Sequence, residues 1–395
     1  MAAPETLLLT LSGADRPALT SALFAALAPY DVAVLDIEQV VIRGRLTLGV
    51  LLTAPRNDKP LRAAAEAAAR QLGLELEIAE GGDEEPRRRG RTHVTLLGAP
   101  LRPADVAGIA GRIADSGANI ERIVRIAAYP VTAIELEVSG GDPDRLRPVL
   151  AREAADLGVD VAVQKAGLHR RAKRLVVMDV DSTLIQGEVI DMLAAHAGCE
   201  DRVARVTEAA MRGELDFAAS LRERVASLAG LDARALDAVR RDVRLSPGAR
   251  TLVRTLKRLD YRFAVVSGGF TQIVEPLARE LGIDYVAANT LEVVDGKLTG
   301  RVVGPIVDRA GKAEALERFA ADAGVPLSQT VAIGDGANDL DMLARAGLGI
   351  AFNAKPAVRE AAHAAVNVPY LDVVLYLLGI SRSEVEAADE VPATA

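Results

Sequence analysis

The rhythm of apolar and polar positions changes partway along this chain of 395 residues. In the first part, Thr6 to Leu11 and Thr92 to Leu97 are short β-prone runs, and each leads into an Ala-rich stretch with helical spacing. Strands at about Val32 to Ile42 and Asn119 to Ala127 come next. Each segment closes with a strand, a helix and a short strand, Leu74 to Ile78 in one and Val159 to Val163 in the other. The order βαββαβ is a split βαβ unit, present twice. The two copies also echo each other in sequence. Leu11-Ser12-Gly13-Ala14 answers Leu96-Leu97-Gly98-Ala99, and Arg16-Pro17-Ala18 answers Arg102-Pro103-Ala104 with one residue inserted. Small domains are therefore expected over residues 1–80 and 92–166, joined by a charged, Gly-rich linker over 81–91.

From Lys173 the pattern switches to apolar strands alternating with helices, which predicts an α/β fold with a doubly wound parallel sheet. Candidate core strands are Leu175 to Met178, Arg262 to Val266, Tyr285 to Ala287, Thr330 to Ile333 and Leu348 to Ala351. A basic stretch ending at Arg174 closes a second linker, 167–174, and the sheet domain is expected over 175–380. Residues 186–246 read as several amphipathic helices, too long for a simple crossover, and fit a helical cap inserted over the carboxyl edge of the sheet. The acidic, small-residue tail 381–395 is expected to fray.

Half of the residues are hydrophobic but only 3% are aromatic and Trp is absent, so Ala, Val and Leu must build the cores. A net charge of −8 argues against general affinity for nucleic acid, which needs concentrated Lys and Arg. The single cysteine, Cys199, excludes an internal disulfide framework and suits a reducing cytoplasm; it reads as a packing residue in a helix. The start, Met-Ala-Ala-Pro-Glu-Thr, lacks the basic and apolar regions of a signal peptide. No apolar run of about 18 residues predicts a membrane span.

Chemistry concentrates at the ends of the predicted strands. Asp179 and Asp181 follow the first core strand, and alternation points both the same way if the extension persists. One could attack an electrophile while the other moves protons. Ser267-Gly268-Gly269 ends the second strand, where a hydroxyl and backbone amides can hold phosphate oxygens. Lys312 lies at a predicted helix start, and Gly334-Asp335-Gly336-Ala337-Asn338-Asp339 follows another apolar strand. Each cluster alone has a plain reading: a turn, a surface lysine, an Asp N-cap. Together they put four carboxylates near one another, and carboxylates about 4 Å apart repel by roughly 1 to 4 kcal/mol per pair. Cations are needed; Lys312 is one, and an all-oxygen donor set suits Mg²⁺. Zinc is disfavoured, because the four His are scattered.

Asp-Val-Asp-Ser-Thr, Ser267, Lys312 and Gly-Asp-Gly-Ala-Asn-Asp resemble the four motifs of the haloacid dehalogenase superfamily of phosphatases. The stretch from about Lys173 to Gly379 is similar to its phosphoserine phosphatase branch. The two leading segments look like ferredoxin-like ACT domains, as in the long, mycobacterial-type form. The resemblance implies a phosphoric monoester hydrolase that converts O-phospho-L-serine to L-serine and phosphate and completes serine biosynthesis. It makes Asp179 the nucleophile and Asp181 the proton donor and base. It assigns Mg²⁺ to the Asp179 carboxylate, the Asp181 backbone carbonyl and Asp335, with Asp339 supporting through water or Lys312. Ser267, Gly268 and Lys312 would hold the phosphoryl group, with Asn338 beside them. Glu188 would meet the substrate ammonium and Arg224 its carboxylate, while Met211 and Phe217 close over it.

In ACT domains the Gly-containing loop after the first strand helps form an amino-acid site at a domain interface. Gly13, Asp15 and Gly98 are the matching effector candidates, and the second loop lacks a counterpart of Asp15. The same glycines could simply serve tight turns. The resemblance further implies a homodimer or higher homo-oligomer with serine as product and effector, and no nucleic-acid or membrane partner. Open beside it are a phosphatase for phosphothreonine or a sugar phosphate, a receiver-like module with a lasting phospho-Asp, and a sensor without catalysis. Asp181 and the cap weigh against the receiver, and the filled catalytic positions weigh against the pure sensor.

Overall fold

The computed structural model describes residues 6–81, 91–167, 172–212 and 214–390. The expected linker between Gly81 and Arg91 and the core of the basic stretch, residues 168–171, lie outside the described residues. The chain separates into two compact units, residues 1–88 and 89–395.

In the first unit, four antiparallel strands line up as β2-β3-β1-β4: β1 (Thr6–Ala14), β2 (Val34–Ile42), β3 (Arg45–Thr53) and β4 (Glu75–Gly81). Helices Leu19–Leu27 and Lys59–Leu72 cover one face. Leu7, Leu9 and Leu11 alternate into the core against Leu46, Leu48, Val50 and Leu52, as period-2 patterning requires. Gly73, at φ 65°, ends the second helix in the left-handed conformation that glycine adopts freely.

The second unit begins with the same plan: β5 (Arg91–Gly98), β6 (Asn119–Ala127), β7 (Thr132–Ser139) and β8 (Asp160–Lys165), with helices Pro103–Asp115 and Pro143–Leu157. The larger α/β region follows. Its strands are β9 (Leu175–Asp179), β10 (Arg262–Phe270), β11 (Tyr285–Val294), β12 (Lys297–Val303), β13 (Thr330–Gly334), β14 (Leu348–Phe352) and β15 (Ala364–Val366). β11, β10, β9, β13, β14 and β15 run parallel, with β9 central and buried throughout. One core layer, including Leu175, Val177 and Phe319, packs on one face; Val176, Met178 and Phe263 belong to the other.

Three features depart from the sequence reading. First, the two sheets of this unit are one: β8 pairs with β15 at Ala162 and Ala364, giving the order β12-β11-β10-β9-β13-β14-β15-β8-β5-β7-β6. Two side chains reinforce the seam: Asp160 accepts from the Asn367 backbone amide at 2.7 Å, and Gln164 donates to the Leu377 carbonyl at 2.8 Å. Second, β11 does not stop at Ala287 but turns back into antiparallel β12. Asp295 and Gly296, both at positive φ, make the turn that Asp-Gly favours in hairpins. Third, the tail does not fray at Ser381, because Arg382–Glu390 is a helix. Val385 is buried, Arg382 reaches Asp372, and Asp389 pairs with Arg254 and Arg258 of helix Ala249–Arg258.

Four cap helices, Val189–Ala197, Glu200–Met211, Phe217–Ala226 and Arg234–Asp242, stand between β9 and β10 in the chain. They connect to the core through two paired segments. Ile185 bridges Leu245, the Gln186 amide donates to the Arg244 carbonyl at 2.8 Å, and the Ser246 amide donates to Leu184. Cys199 is not inside a helix; it sits at the junction after Gly198, as N-cap of the second cap helix.

Candidate active site

Extension persists through Asp181 (φ −64°, ψ 134°) and breaks at Ser182 (φ 56°, ψ 1°). That break ends the strand and lets Asp179 and Asp181 both serve the carboxyl edge of the sheet. Asp179 is 4% exposed and Asp181 9%. Lys312, fully buried in helix Arg309–Asp322, joins two chain-distant carboxylates: Nζ lies 2.8 Å from Asp179 Oδ2 and 2.7 Å from Asp339 Oδ1. The helix is started by Asp308, whose Oδ1 accepts from the Gly311 amide at 2.8 Å.

Asp339 is committed on both sides, since its Oδ2 accepts from the Gly336 amide at 2.9 Å. It therefore contacts Lys312 directly through Oδ1. Gly334 must be glycine here: a Cβ would lie 2.4 Å from Asp339 Cγ. Asp335 Oδ1 accepts from Thr183 Oγ1 at 2.8 Å, and the Thr183 carbonyl in turn accepts from Ser246 Oγ at 2.6 Å. Asn338 is half-buried next to these groups in the chain.

Ser267 Oγ donates to Asp181 Oδ2 at 3.0 Å and accepts from the Gly269 amide at 2.8 Å. The other Asp181 oxygen accepts from the Val189 amide at 2.8 Å, at the first turn of the cap. Phe217 lies over the glycine loop, its Cζ 3.2 Å from where a Gly268 Cβ would stand. Glu188 is exposed at the neck and accepts from Ser182 Oγ at 2.8 Å. Arg224 is half-buried, and its guanidinium feels the charges of Glu188, Asp191 and Asp181. Met211 ends its cap helix, but its side chain lies outside the described part of the structure.

Electrostatics follow from this crowding. Burial, then the Asp339 charge, drives the Asp179 carboxyl well above the usual range, against the pull of Lys312. Burial, with the Glu188 charge, pushes Asp181 up to about 6. Burial also lifts Asp335 to about 6, despite the Thr183 hydrogen bond. Burial alone would lower the Lys312 ammonium, but Asp179 and Asp339 outweigh it and hold the group charged. Oxygens of Asp179, Asp335 and Asp339 lie within 4.8 Å of one another. One ammonium cannot neutralise three carboxylates. This oxygen-only, over-acidic cluster could hold a hard divalent cation.

Two supporting residues escaped the sequence reading. Thr183 belongs to the first motif, so its position was a usable signal. Asn289, fully buried in the middle of β11 where its parallel pairing with β10 ends, had none. Its Nδ2 donates to the Gly268 carbonyl at 2.8 Å and its Oδ1 accepts from the Val307 amide at 2.9 Å. It thus ties the glycine loop to the segment that leads into Lys312.

The effector candidates lie elsewhere. Asp15 is exposed and lines a cleft of about 420 Å³ with Arg16, Thr20 and Gln39. Gly13 is held by packing, since a Cβ would lie 2.6 Å from Leu74 Cδ2. Gly98 is buried against Leu101, 3.0 Å from its Cα by the same measure. Both glycines therefore have a steric reason that needs no ligand.

Comparison with known proteins agrees with this architecture. Residues 176–344 match the haloacid dehalogenase-like hydrolase family, and residues 5–79 and 91–164 each match an ACT domain. A phosphoserine phosphatase of Streptomyces coelicolor is 66% identical over 387 residues, covering 97% of this chain and 94% of that protein. Phosphoserine phosphatase SerB2 of Mycobacterium tuberculosis is 56% identical over 395 residues, covering 98% and 97%. The crystal structure of a probable phosphoserine phosphatase from Vibrio cholerae, in unliganded form, superposes with a TM-score of 0.59 at 34% identity, covering 78% of this chain and 91% of that one. Among the described residues no helix is long and apolar enough to cross a membrane. With a haloacid dehalogenase-like site under a helical cap and two ACT domains ahead of it, the chain belongs to the phosphoserine phosphatase family of hydrolases.

Proposed function

We propose that this enzyme hydrolyses O-phospho-L-serine to L-serine and phosphate through a phospho-Asp179 intermediate, as the last step of serine biosynthesis in the cytoplasm. The observation that carries the reading is the pairing of two buried carboxylates with different partners: Asp179 on Lys312, Asp181 on Ser267. Asp179, whose carboxylate form Lys312 favours against the opposing effect of burial, attacks phosphorus, and the bond from phosphorus to the seryl oxygen breaks. Asp181, whose pKa of about 6 lets it carry a proton near neutrality, gives that proton to the departing oxygen. Asp181 then takes a proton from water as the water attacks phosphorus, which frees phosphate and restores Asp179. Ser267, the Gly268 and Gly269 loop and Lys312 hold the phosphoryl oxygens, and Asn338 stands beside them.

The carboxylate cluster fits Mg²⁺, with Asp179, Asp335 and the Asp181 carbonyl as ligands and Asp339 behind them. When bound, the ion neutralises phosphoryl and carboxylate charge. Glu188 and Arg224 supply the opposite charges that a zwitterionic amino acid requires, Phe217 over the glycine loop excludes water, and the family resemblance gives Met211 the same task. The two ACT domains support control by serine in a homodimer or larger assembly, with Gly13, Asp15 and Gly98 near the effector. This couples only if serine binds one arrangement more tightly.

The deciding experiment measures phosphate release from phosphoserine with and without Mg²⁺, in parent and Asp179→Asn proteins. Release should need the ion and vanish in the variant; full turnover by the variant, or indifference to chelator, rejects the mechanism. Serine control is rejected separately if added serine changes neither rate nor assembly.

A further inference from the structure

The neck that joins cap to core borders a cleft that the hydrolytic site does not use. The cleft has a volume of about 720 Å³ and opens between the last cap helix, Arg234–Asp242, and core helix Thr271–Leu281. This volume lies within the range of small-molecule sites, about 300 to 1,000 Å³. Its floor is apolar, formed by Val243, Ile273, Pro276 and Leu277. Four arginines also line it, Arg240, Arg241, Arg244 and Arg250, against one lining acid, Glu280. Arg250 is paired with Glu280 at 2.5 Å, and Arg240 is 3.4 Å from Asp237. Among the described residues, Arg241 and Arg244 have no acidic partner. In a chain with net charge −8, such a local excess of arginine over an apolar floor is a chemical specification.

We propose that this cleft binds an organic polyphosphate, a ligand with at least two phosphoryl charges and an apolar or flat body of about nucleoside diphosphate size. Guanidinium forks match phosphoryl oxygens in pairs, and the floor accepts the body. The site also has a route to catalysis. The Arg244 carbonyl accepts from Gln186, two residues before Glu188, and helix Thr271–Leu281 starts directly after the glycine loop. A ligand with its phosphoryl groups on Arg241 and Arg244 and its body on Ile273, Pro276 and Leu277 of the core helix holds the cap in one position relative to the loop, and so favours one cap state over others.

The test is calorimetric titration of the full chain with ADP in metal-free buffer. One ADP should bind per chain, more weakly at high salt, with equal affinity in Asp179→Asn, and at least about tenfold more weakly in Arg241→Gln/Arg244→Gln. Without ADP that double variant should release phosphate from phosphoserine at the parent rate, because both arginines are exposed and outside the hydrolytic site. Hydrogen exchange at the Gln186 and Ser246 amides should slow on ADP addition in the parent only. Absence of saturable binding, equal binding by the double variant, or loss of binding in Asp179→Asn overturns the proposal. The last outcome assigns ADP to the hydrolytic site.

Discussion

Lys312 Nζ lies 2.8 Å from Asp179 Oδ2, with both side chains buried. Neither charge can turn to water, so each depends on the other. Removing one member of such a pair typically costs about 3 to 5 kcal/mol. Lys312→Met should therefore lower stability by roughly that amount and, on the mechanism proposed above, cut turnover about 10³-fold, since that mechanism sets this charge against the phosphoryl oxygens. Adding Asp179→Asn to Lys312→Met should recover part of the stability and none of the turnover. Urea unfolding of the single and double variants checks the stability part, and phosphate release from phosphoserine checks the turnover part.

Asp181 and Asp335 set a pH dependence with a definite sign. Both titrate at about 6 in the folded chain, against about 3.9 for Asp in an unfolded one. Between these values the native state holds more protons, so metal-free protein should lose stability as pH rises from about 4 to 6. The loss is at most about 2 to 3 kcal/mol per group. Asp335→Asn should remove its share of the slope, and Mg²⁺ should flatten the rest near neutrality. Thermal melts in chelator between pH 4.5 and 7.5 read this; a profile that rises over that window contradicts it.

Arg224 and Phe217 should separate recognition from chemistry. Arg224→Ala is expected to cut kcat/KM for phosphoserine about 10²-fold or more and to spare an aryl phosphate, which has no carboxylate to clamp. Phe217→Ala uncovers Gly268 and should raise KM for both substrates. A panel of phosphate esters assayed with the two variants distinguishes these patterns.

Asn289 offers a sharper comparison. Asn289→Ala leaves the Gly268 carbonyl and the Val307 amide without their partner, at about 1 to 3 kcal/mol each. Asn289→Asp keeps the acceptor for Val307 and loses the donor to Gly268. Its new carboxylate oxygen faces the Gly268 carbonyl in a fully buried position, so it should be at least as destabilising as the alanine variant. It should still lose about tenfold or more in kcat, because the phosphoryl loop shifts. Equal kcat in parent and Asn289→Asp would show that the Gly268 link does not position the loop.

What could be read from the chain, and what could not, divides by the range of the cause. Asp179, Ser267 and Asp335 follow apolar runs directly, so periodicity alone puts them at strand ends. Lys312 was legible through its motif, but its double contact with Asp179 and Asp339 spans three chain segments. Asn289 looks like any strand polar residue until its two partners converge on it. The final helix was hidden for a similar reason. Its sequence is weakly apolar, and it is pinned by Val385 and by Asp389 on arginines far back in the chain. The hairpin of β11 and β12 was different, because Asp295-Gly296 was a local turn signal.

The pairing of Ala162 with Ala364 has a consequence for anyone who would trim this enzyme. β15 has three residues and lies two strands from β13, whose end carries Asp335. Cutting away everything before Lys173 strips β15 of its neighbour and bares a row of amide and carbonyl groups along an Ala-rich rim. Bare rims of this kind recruit other chains. A truncated phosphatase should then clump, or cap the rim with a sister molecule, unless β8 of the second ACT domain is kept in place.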